Sequence, residues 1–452
     1  MTVYLAAVLI LFLSGLPAWL VGARSPLGER LSAGLMLGAA GLGMGAIVSA
    51  LLAGVSAELV ADWTLPGAHF VVRLDGLAAV FALPAFLISG LGGLYGLGYF
   101  PHHHHRQEAG RLRLWYGLLA ASITLLPISR NGILFLITWE LMAVAGFLLI
   151  ITEQEKEDTR RAAFVYLAST HVGTLALYAF FVLLDQGRHT FDFPALASID
   201  ASTPLATAIF CLGLFGFGVK AGIMPLHIWL PGAHAAAPSH VSALMSGVMI
   251  KMGIYGLVRM TSFFSHVPPW WGWTILALGV VSGVMGVVFA IAQHDIKRLL
   301  AYHSVENIGI ILIGLGVALL GRAFDQPNLV VLGLAGALLH VINHGLFKSL
   351  LFLSAGSVIE ATGTRHIDAY GGLMKQMPLT GLCFLGGAVA ICGLPPLNGF
   401  VSEWLIYLGL LHSQTSGGDS PLAMAVVAAP LLAVIGALAV ACFVNVIGIS
   451  FL

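Results

Sequence analysis

Three lysines stand inside long apolar runs: Lys220 in LFGFGVKAGIMPLHIWL, Lys251 in ALMSGVMIKMGIYGL and Lys348 in HVINHGLFKSLLFL. Glu140 in TWELMAVAGFLL and Glu403 in FVSEWLIYLGL have similar surroundings. A charge at the centre of a bilayer costs about 2.5–3.5 kcal/mol on insertion scales, so five of them ask for roughly 12–18 kcal/mol unless they pair, neutralise or line water. Residues that costly mark a route for ions or protons. Burial favours a neutral lysine and a neutral glutamate, and an opposite charge nearby does the reverse. Such groups can therefore be poised to exchange protons near neutral pH. Glu140 is the expected partner of Lys220; a purely structural ion pair between them is the competing reading, which leaves Lys251, Lys348 and Glu403 without a purpose.

Histidines extend the set. His340, His344 and Lys348 recur every four residues, which puts them along one helix face with neighbours about 6 Å apart, the spacing that proton hopping through bridging water needs. Two histidines one turn apart also suit a zinc ion, but the local sequence offers no third ligand. His171, His227 and His234 are weaker relay candidates, as is His240, and each is equally well explained by packing. The segment from Gln293 to Gly309 gathers charge at a helix start. Lys297 and Arg298 read as a snorkelling cap; Asp295 and Glu306 read in addition as proton collectors at a cytoplasmic helix entrance, with His303 a further relay or entrance candidate.

The elements that hold these groups follow from composition. With 59% hydrophobic and only 9% charged residues and a mean hydropathy of +0.96, the chain is too apolar for a soluble domain and its first partner is the lipid bilayer. Apolar stretches of about 20 residues give about thirteen spanning helices, starting near Val3, Leu31, Leu77, Leu112, Gly132, Ala162, Leu205, Val241, Trp273, Leu300, Val330, Leu379 and Met424. The first lacks a basic leader and outruns a signal-peptide core, so it reads as a retained helix. If the amino terminus faces outward, one set of loops carries Arg24, Arg30, Arg106, Arg111, Arg113, Lys156, Arg160, Arg161, Lys297, Arg298, Arg365 and Lys375. The other carries only Arg73, Arg130, Arg188, Arg259 and Arg322. The positive-inside rule then places the carboxyl terminus in the cytoplasm of a bacterial or archaeal inner membrane.

Two stretches contain helix breakers: GFGVKAGIMPLHIWLPGAH with Pro225, and AVAICGLPPLNGFVSEWLIYL with Pro395 and Pro396. Proline removes a donor and clashes with the preceding turn, and in hydrocarbon the freed carbonyls need neighbours or water. Breaks at matching places are the pattern of inverted-repeat transporters, whose ion sites lie at the breaks. The expected organisation is three N-terminal helices over 1–111, a five-helix repeat over 112–260 and a second, inverted, over 261–452. The run His102–His105 reads as a solvated loop. Cys211, Cys383, Cys392 and Cys442 lack metal-ligand spacing, and there is no phosphate-cradling loop. A driving reaction therefore belongs to other polypeptides or to an ion gradient, no cofactor is expected on this chain, and nucleic acid is not among its expected partners.

The runs WELMAVAGFLLI, VKAGIMPLHIWLPGAHAAAPSHVSALMSGVMIKMGIYGL, HDIKRLLAYHSVENIGII, HGLFKSLLFLSAGSVI and GLPPLNGFVSEWL together resemble the antiporter-like, proton-translocating subunits of respiratory complex I, Mrp-type sodium/proton antiporters and membrane-bound hydrogenases. The resemblance runs from about Trp115 to the end and is closest to component B of hydrogenase-4 and its formate hydrogenlyase counterpart. It implies that Glu140, Lys220, Lys251, Lys348 and Glu403 correspond to the family's fifth-, seventh-, eighth-, eleventh- and twelfth-helix charges, with His340 and His344 matching its eleventh-helix histidines. It further implies other membrane subunits and a peripheral redox arm as partners, with [NiFe] and iron–sulfur centres carried there, and protons, with or without sodium, as cargo. A complex I chain 5-like subunit, an Mrp-type antiporter and a transport-inactive anchor are the alternatives. Family members usually continue into a fourteenth helix and a lateral helix, whereas this sequence stops after the thirteenth.

Overall fold

Backbone amides in hydrocarbon must be satisfied within their own segment, so apolar runs of this length fold as helices. The computed structural model describes residues 1–21, 26–65, 68–103, 105, 108–417 and 420–452; Arg24, His104 and Arg106 lie outside the described residues. Among the described residues, 11 helical segments are long and apolar enough to cross a membrane. The fourth expected stretch is helical as well, but Glu108, Arg111 and Arg113 crowd its first turns. The twelfth is divided into two helices by its prolines. Outward faces are strongly apolar: on the helix Glu157–Asp185, Phe164 is 70% and Leu175 67% exposed, as suits contact with lipid.

The chain forms two compact units. The first comprises Met1–Ala195, Ala208–Lys220 and Ala236–Leu257. It contains α1 (Thr2–Leu13), α2 (Leu16–Val21), α3 (Leu27–Leu52), α4 (Gly76–Tyr99), α5 (Glu108–Leu125), α6 (Gly132–Ile150), α7 (Glu157–Asp185), most of α8 (Pro204–Ala221), α10 (Ser239–Leu244) and the start of α11 (Lys251–Ser262). An antiparallel hairpin of β1 (Ala57–Asp62) and β2 (His69–Leu74) pairs Glu58 with Arg73 and Val60 with Val71; hydropathy gave no sign of these strands. The hairpin is tied to the helices through Arg130, whose amide bonds the Val71 carbonyl at 2.9 Å and whose guanidinium meets Asp75 at 3.0 Å. Buried aromatics fill this unit, with Phe135, Trp139, Phe180 and Phe217 meeting edge to face or stacked.

The second unit comprises Leu196–Thr207, Ala221–Ala235 and Val258–Leu452. It holds most of α9 (Leu230–Ala236), and α12 (Pro269–Ile291), α13 (Ile296–Ala323), α14 (Pro327–Thr362), α15 (Leu373–Gln376), α16 (Pro378–Ile391), α17 (Asn398–Gly417) and α18 (Ala428–Ser450). Its core gathers Leu276, Ile313, Leu320, Ile406, Leu410 and Ile435 around α13. Small residues let α12 and α13 approach closely, the usual solution where no water drives helices together. A Cβ at Gly309 would fall onto the Gly283 backbone and within 2.6 Å of the Gly279 carbonyl.

That crossing gives a direct test. Gly309→Leu should lower the thermal midpoint of the detergent-solubilised protein by several degrees or prevent its accumulation, since overpacking costs about 1–3 kcal/mol. Gly34→Ala, where an added Cβ has no neighbour within 4 Å, should leave the midpoint unchanged or raise it, and equal behaviour of the two variants would contradict the packing described.

Candidate functional site: buried titratable groups and two helix breaks

Lys220 ends α8, one residue before the chain leaves helical geometry. Its side chain is buried, its ammonium has no hydrogen-bond partner among the described residues, and it lies 5.5 Å from the ring centroids of both Trp139 and Tyr166. An aromatic face attracts a cation without accepting its proton, worth about 0.5–2 kcal/mol depending on desolvation. Glu140 on α6 does not touch Lys220. One of its carboxylate oxygens is buried without a partner among the described residues, and the other is 3.4 Å from Nε2 of His171 on α7. It acts on Lys220 electrostatically, through space. The expected Glu140–Lys220 contact is thus replaced by a Glu140–His171 pair and a lysine resting on two aromatic rings. Glu140 also borders an apolar groove of about 590 Å³ lined by Ile137, Leu141, Val144, Tyr178 and Val182.

Lys251 opens α11 directly after a π-helical turn, Met245–Met249. Such single turns are common at functional sites because they swing side chains out of register. Lys251 is buried and its ammonium reaches back to the Ser246 carbonyl. The Tyr166 hydroxyl, over whose ring Lys220 sits, contacts the sulfur of Met249 in that turn at 3.8 Å. His240 on α10 packs against Tyr99 and Tyr116.

The second unit contains both breaks. At each, a glycine with positive φ (Gly222 at 75°, Gly393 at 61°) precedes a cis X–Pro bond, Met224–Pro225 or Pro395–Pro396. The freed Met224 amide is met by Ser282 Oγ of α12 at 3.1 Å. His227 lies in the first break beside Phe289 and Tyr302, with Nδ1 lacking a hydrogen-bond partner among the described residues. His234 on α9 is buried between Trp229 and Phe352. At the second break, Glu403 of α17 folds back over the chain so closely that a Cβ on Gly393 would lie 2.5 Å from its carboxylate.

Between these breaks α14 presents its file. The rings of His340 and His344 are 6.3 Å apart and nearly parallel. The Lys348 ammonium is fully buried, has no hydrogen-bond partner among the described residues and lies 5.7 Å from the Phe352 centroid. His340 bonds Ser402 Oγ through Nδ1 at 2.9 Å and Asn307 Oδ1 through Nε2 at 3.0 Å. With both nitrogens engaged this way, His340 and His344 do not form the zinc pair considered from their spacing. Among the described residues no group of three or more His, Cys, Asp or Glu is arranged to hold a metal.

The expected entrance cluster separates into two parts. Asp295 caps α13, accepting from the amides of Lys297 and Arg298 at 2.8 and 3.0 Å, and faces Arg365. Glu306, roughly ten residues and therefore about 15 Å further along, is 1% exposed and cannot collect protons from bulk water. It pairs with the buried His303, whose other nitrogen meets Cys442 at 3.3 Å, and it acts electrostatically on Lys348 and Glu403. Trp139, Tyr166, Ser282, Asn307 and Ser402 had escaped sequence reasoning because uncharged side chains do not stand out in an apolar run. The four-residue spacing of His303 and Asn307 was the one available signal.

Fold and site together define a predominantly helical, multi-span membrane protein with titratable side chains buried in and near interrupted helices. Residues 129–429 match the transmembrane family described as NADH:quinone oxidoreductase/Mrp antiporter, and the chain belongs to that family. It is 40% identical over 387 residues to hydrogenase-4 component B of Escherichia coli, covering 85% of this chain and 57% of that protein. To formate hydrogenlyase subunit 3 of the same organism it is 39% identical over 381 residues, covering 84% and 61%. It is also 34% identical to a Na(+)/H(+) antiporter subunit of Alkalihalophilus pseudofirmus over 370 residues, 78% of this chain and 45% of that one. The chain thus spans about three fifths of the length of the hydrogenase relatives. Its fold superimposes on a chain of an archaeal membrane-bound sulfane sulfur reductase with a TM-score of 0.83 at 24% identity, covering 98% of this chain and 70% of that one. The Mrp complex of Dietzia sp. DQ12-45-1b gives the same score at 21% identity, covering 100% and 81%.

Two substitutions probe the breaks. Ser282→Ala leaves the Met224 amide unpaired in the interior and should cost about 1–3 kcal/mol, read as a lower thermal midpoint. Gly393→Ala should cost at least as much, because the new methyl group meets the Glu403 carboxylate and the backbone there is left-handed; a midpoint unchanged in both variants would refute the break geometry.

Proposed function

We propose that this chain is the proton-translocating, antiporter-like membrane subunit of a redox-driven complex of the hydrogenase-4 or formate hydrogenlyase kind. The observation that carries the reading is the pair of buried amines, Lys220 and Lys348. Lys220 lies over two aromatic rings and Lys348 over one, each ammonium without a hydrogen-bond acceptor among the described residues and each within electrostatic reach of a carboxylate it does not touch. A static anchor has no use for such groups, since a buried ammonium without an acceptor is costly. A carrier needs them, because an amine held by no acceptor can gain and lose a proton without breaking a strong bond. Protons enter from the cytoplasm near Lys220, pass Lys251, His340 and His344 to Lys348, and leave outward by Glu403, with the amino terminus outside. The local likeness of the two breaks supports inverted repeats over 112–260 and 261–452.

In this reading the partners are other subunits of such a complex, in keeping with the names of the two Escherichia coli relatives, a hydrogenase component and a formate hydrogenlyase subunit; the [NiFe] and iron–sulfur centres expected from the family resemblance would sit on a peripheral arm among those partners. The driving pulse acts on the Glu140–His171 pair: moving that carboxylate toward or away from Lys220 changes the amine's hold on its proton. The antiporter relatives favour a second reading, sodium/proton exchange without a redox partner.

In inverted membrane vesicles from the native host, Lys220→Ala and Glu403→Gln should each lower the protons moved per hydrogen turned over at least about a hundredfold, the lower end of what positioned acid–base groups contribute. The wild-type ratio should not depend on sodium. An unchanged ratio in either variant removes that residue from the path, and proton movement that requires sodium without hydrogen turnover supports the antiporter.

A further inference from the structure

The hydrogen bonds around His340 determine where its protons reside. Asn307 directs its amide nitrogen at the His303 carbonyl, 2.8 Å away, which can only accept. Its Oδ1 therefore faces His340, and His340 Nε2, at 3.0 Å, must carry hydrogen in either charge state. The variable position is Nδ1, 2.9 Å from Ser402 Oγ. That hydroxyl has one proton and three acceptors within reach: His340 Nδ1, the Gly399 carbonyl, also at 2.9 Å, and the more distant Asn398 carbonyl at 3.5 Å. It accepts from the amide of Asn343 at 3.1 Å, and Asn343 is itself fixed by reciprocal bonds with Asn398 at the start of α17. His340, Ser402 and Asn307 are all fully buried.

We propose that Ser402 is a hydroxyl rotor that allows His340 to take up and release a proton within the packed interior. With His340 neutral, the Ser402 O–H donates to the Nδ1 lone pair. When a proton arrives, an Nδ1–H bond forms and donates to Oγ, while the Ser402 O–H turns to the Gly399 carbonyl. Release reverses both changes. The proton is the only species gained or lost, and no heavy atom moves. Every polar atom of the triad stays bonded in both states, which is what a buried relay requires if neither state is to be prohibitively costly. Titratable neighbours that bias the exchange are His344 and Lys348 on α14, His303 and Glu306 on α13, and Glu403 beside Ser402 on α17; α16 supplies no carboxylate, lysine or histidine. Ser402 is a positioning residue, and its role rests on the proton-relay reading of α14.

The test is ¹⁵N NMR of the full chain, labelled at histidine and reconstituted in lipid bilayers, with the His340 signals identified by their absence in His340→Gln. Neutral His340 should carry its hydrogen on Nε2. Ser402→Ala should lower proton translocation in the vesicle assay by roughly tenfold to a hundredfold, the worth of one hydrogen bond to a charged group, and Ser402→Thr, which keeps the hydroxyl, should restore most of it. A neutral form bearing hydrogen on Nδ1, or full translocation by Ser402→Ala, overturns the proposal. If Ser402→Ala fails to accumulate, the wild-type tautomer and the Ser402→Thr rescue still decide the matter. Absent proton translocation by the wild-type chain would instead defeat the functional reading, leaving the tautomer result to stand on its own.

Discussion

Everything distinctive in this structure depends on the cost of holding an ammonium ion in a medium that cannot solvate it. Lys220, Lys251 and Lys348 meet that cost in different ways. Lys251 donates to a backbone carbonyl made reachable by a π-helical turn, whereas the ammonium groups of Lys220 and Lys348 lie near aromatic rings and have no hydrogen-bond acceptor among the described residues. An aromatic face lowers the energy of the charged form without providing a base to which the proton could be lost. Carboxylates at a distance then set the balance between charged and neutral amine. Small displacements change that balance, because Coulomb energy in a dry interior varies steeply with separation.

The helix breaks serve the same constraint. An unbroken helix consumes its own carbonyls and amides and offers nothing polar to a passing ion, while a break exposes several at once. Here the exposed groups are met economically: Ser282 covers the Met224 amide, and Glu403 lies across Gly393. The polar network joining α13, α14 and α17 through Asn307, His340, Ser402 and Asn343 continues from the second break into the file of titratable groups on α14. Structure and proposed chemistry are therefore not separable, since the bonds that hold the second unit together are those in which a proton would move.

Hydropathy and proline placement made the helices, both breaks and the charged residues legible, because burying a charge or a proline in an apolar run leaves an unmistakable mark on sequence. Partner choice was not legible. Glu140 meets His171 rather than Lys220, a choice between two neighbouring helices that spacing along the chain does not encode. Glu306 was assigned to an aqueous entrance from its neighbours in sequence, yet its depth along α13 follows from helix rise alone. The hairpin of β1 and β2 leaves no mark in hydropathy, because its six-residue strands are far shorter than an apolar run of spanning length. Asn307 and Ser402 carry no formal charge, so nothing in the sequence marks them as the hydrogen-bond partners of the two His340 ring nitrogens.

The most direct measurement compares Lys348→Arg with the wild type for protons translocated per hydrogen turned over. Arginine keeps the positive charge but does not release its proton in a protein. If the buried amine works by becoming neutral, Lys348→Arg fails as completely as Lys348→Ala. Translocation at the wild-type ratio with arginine in place would mean that only a fixed charge is needed there, and would contradict the account.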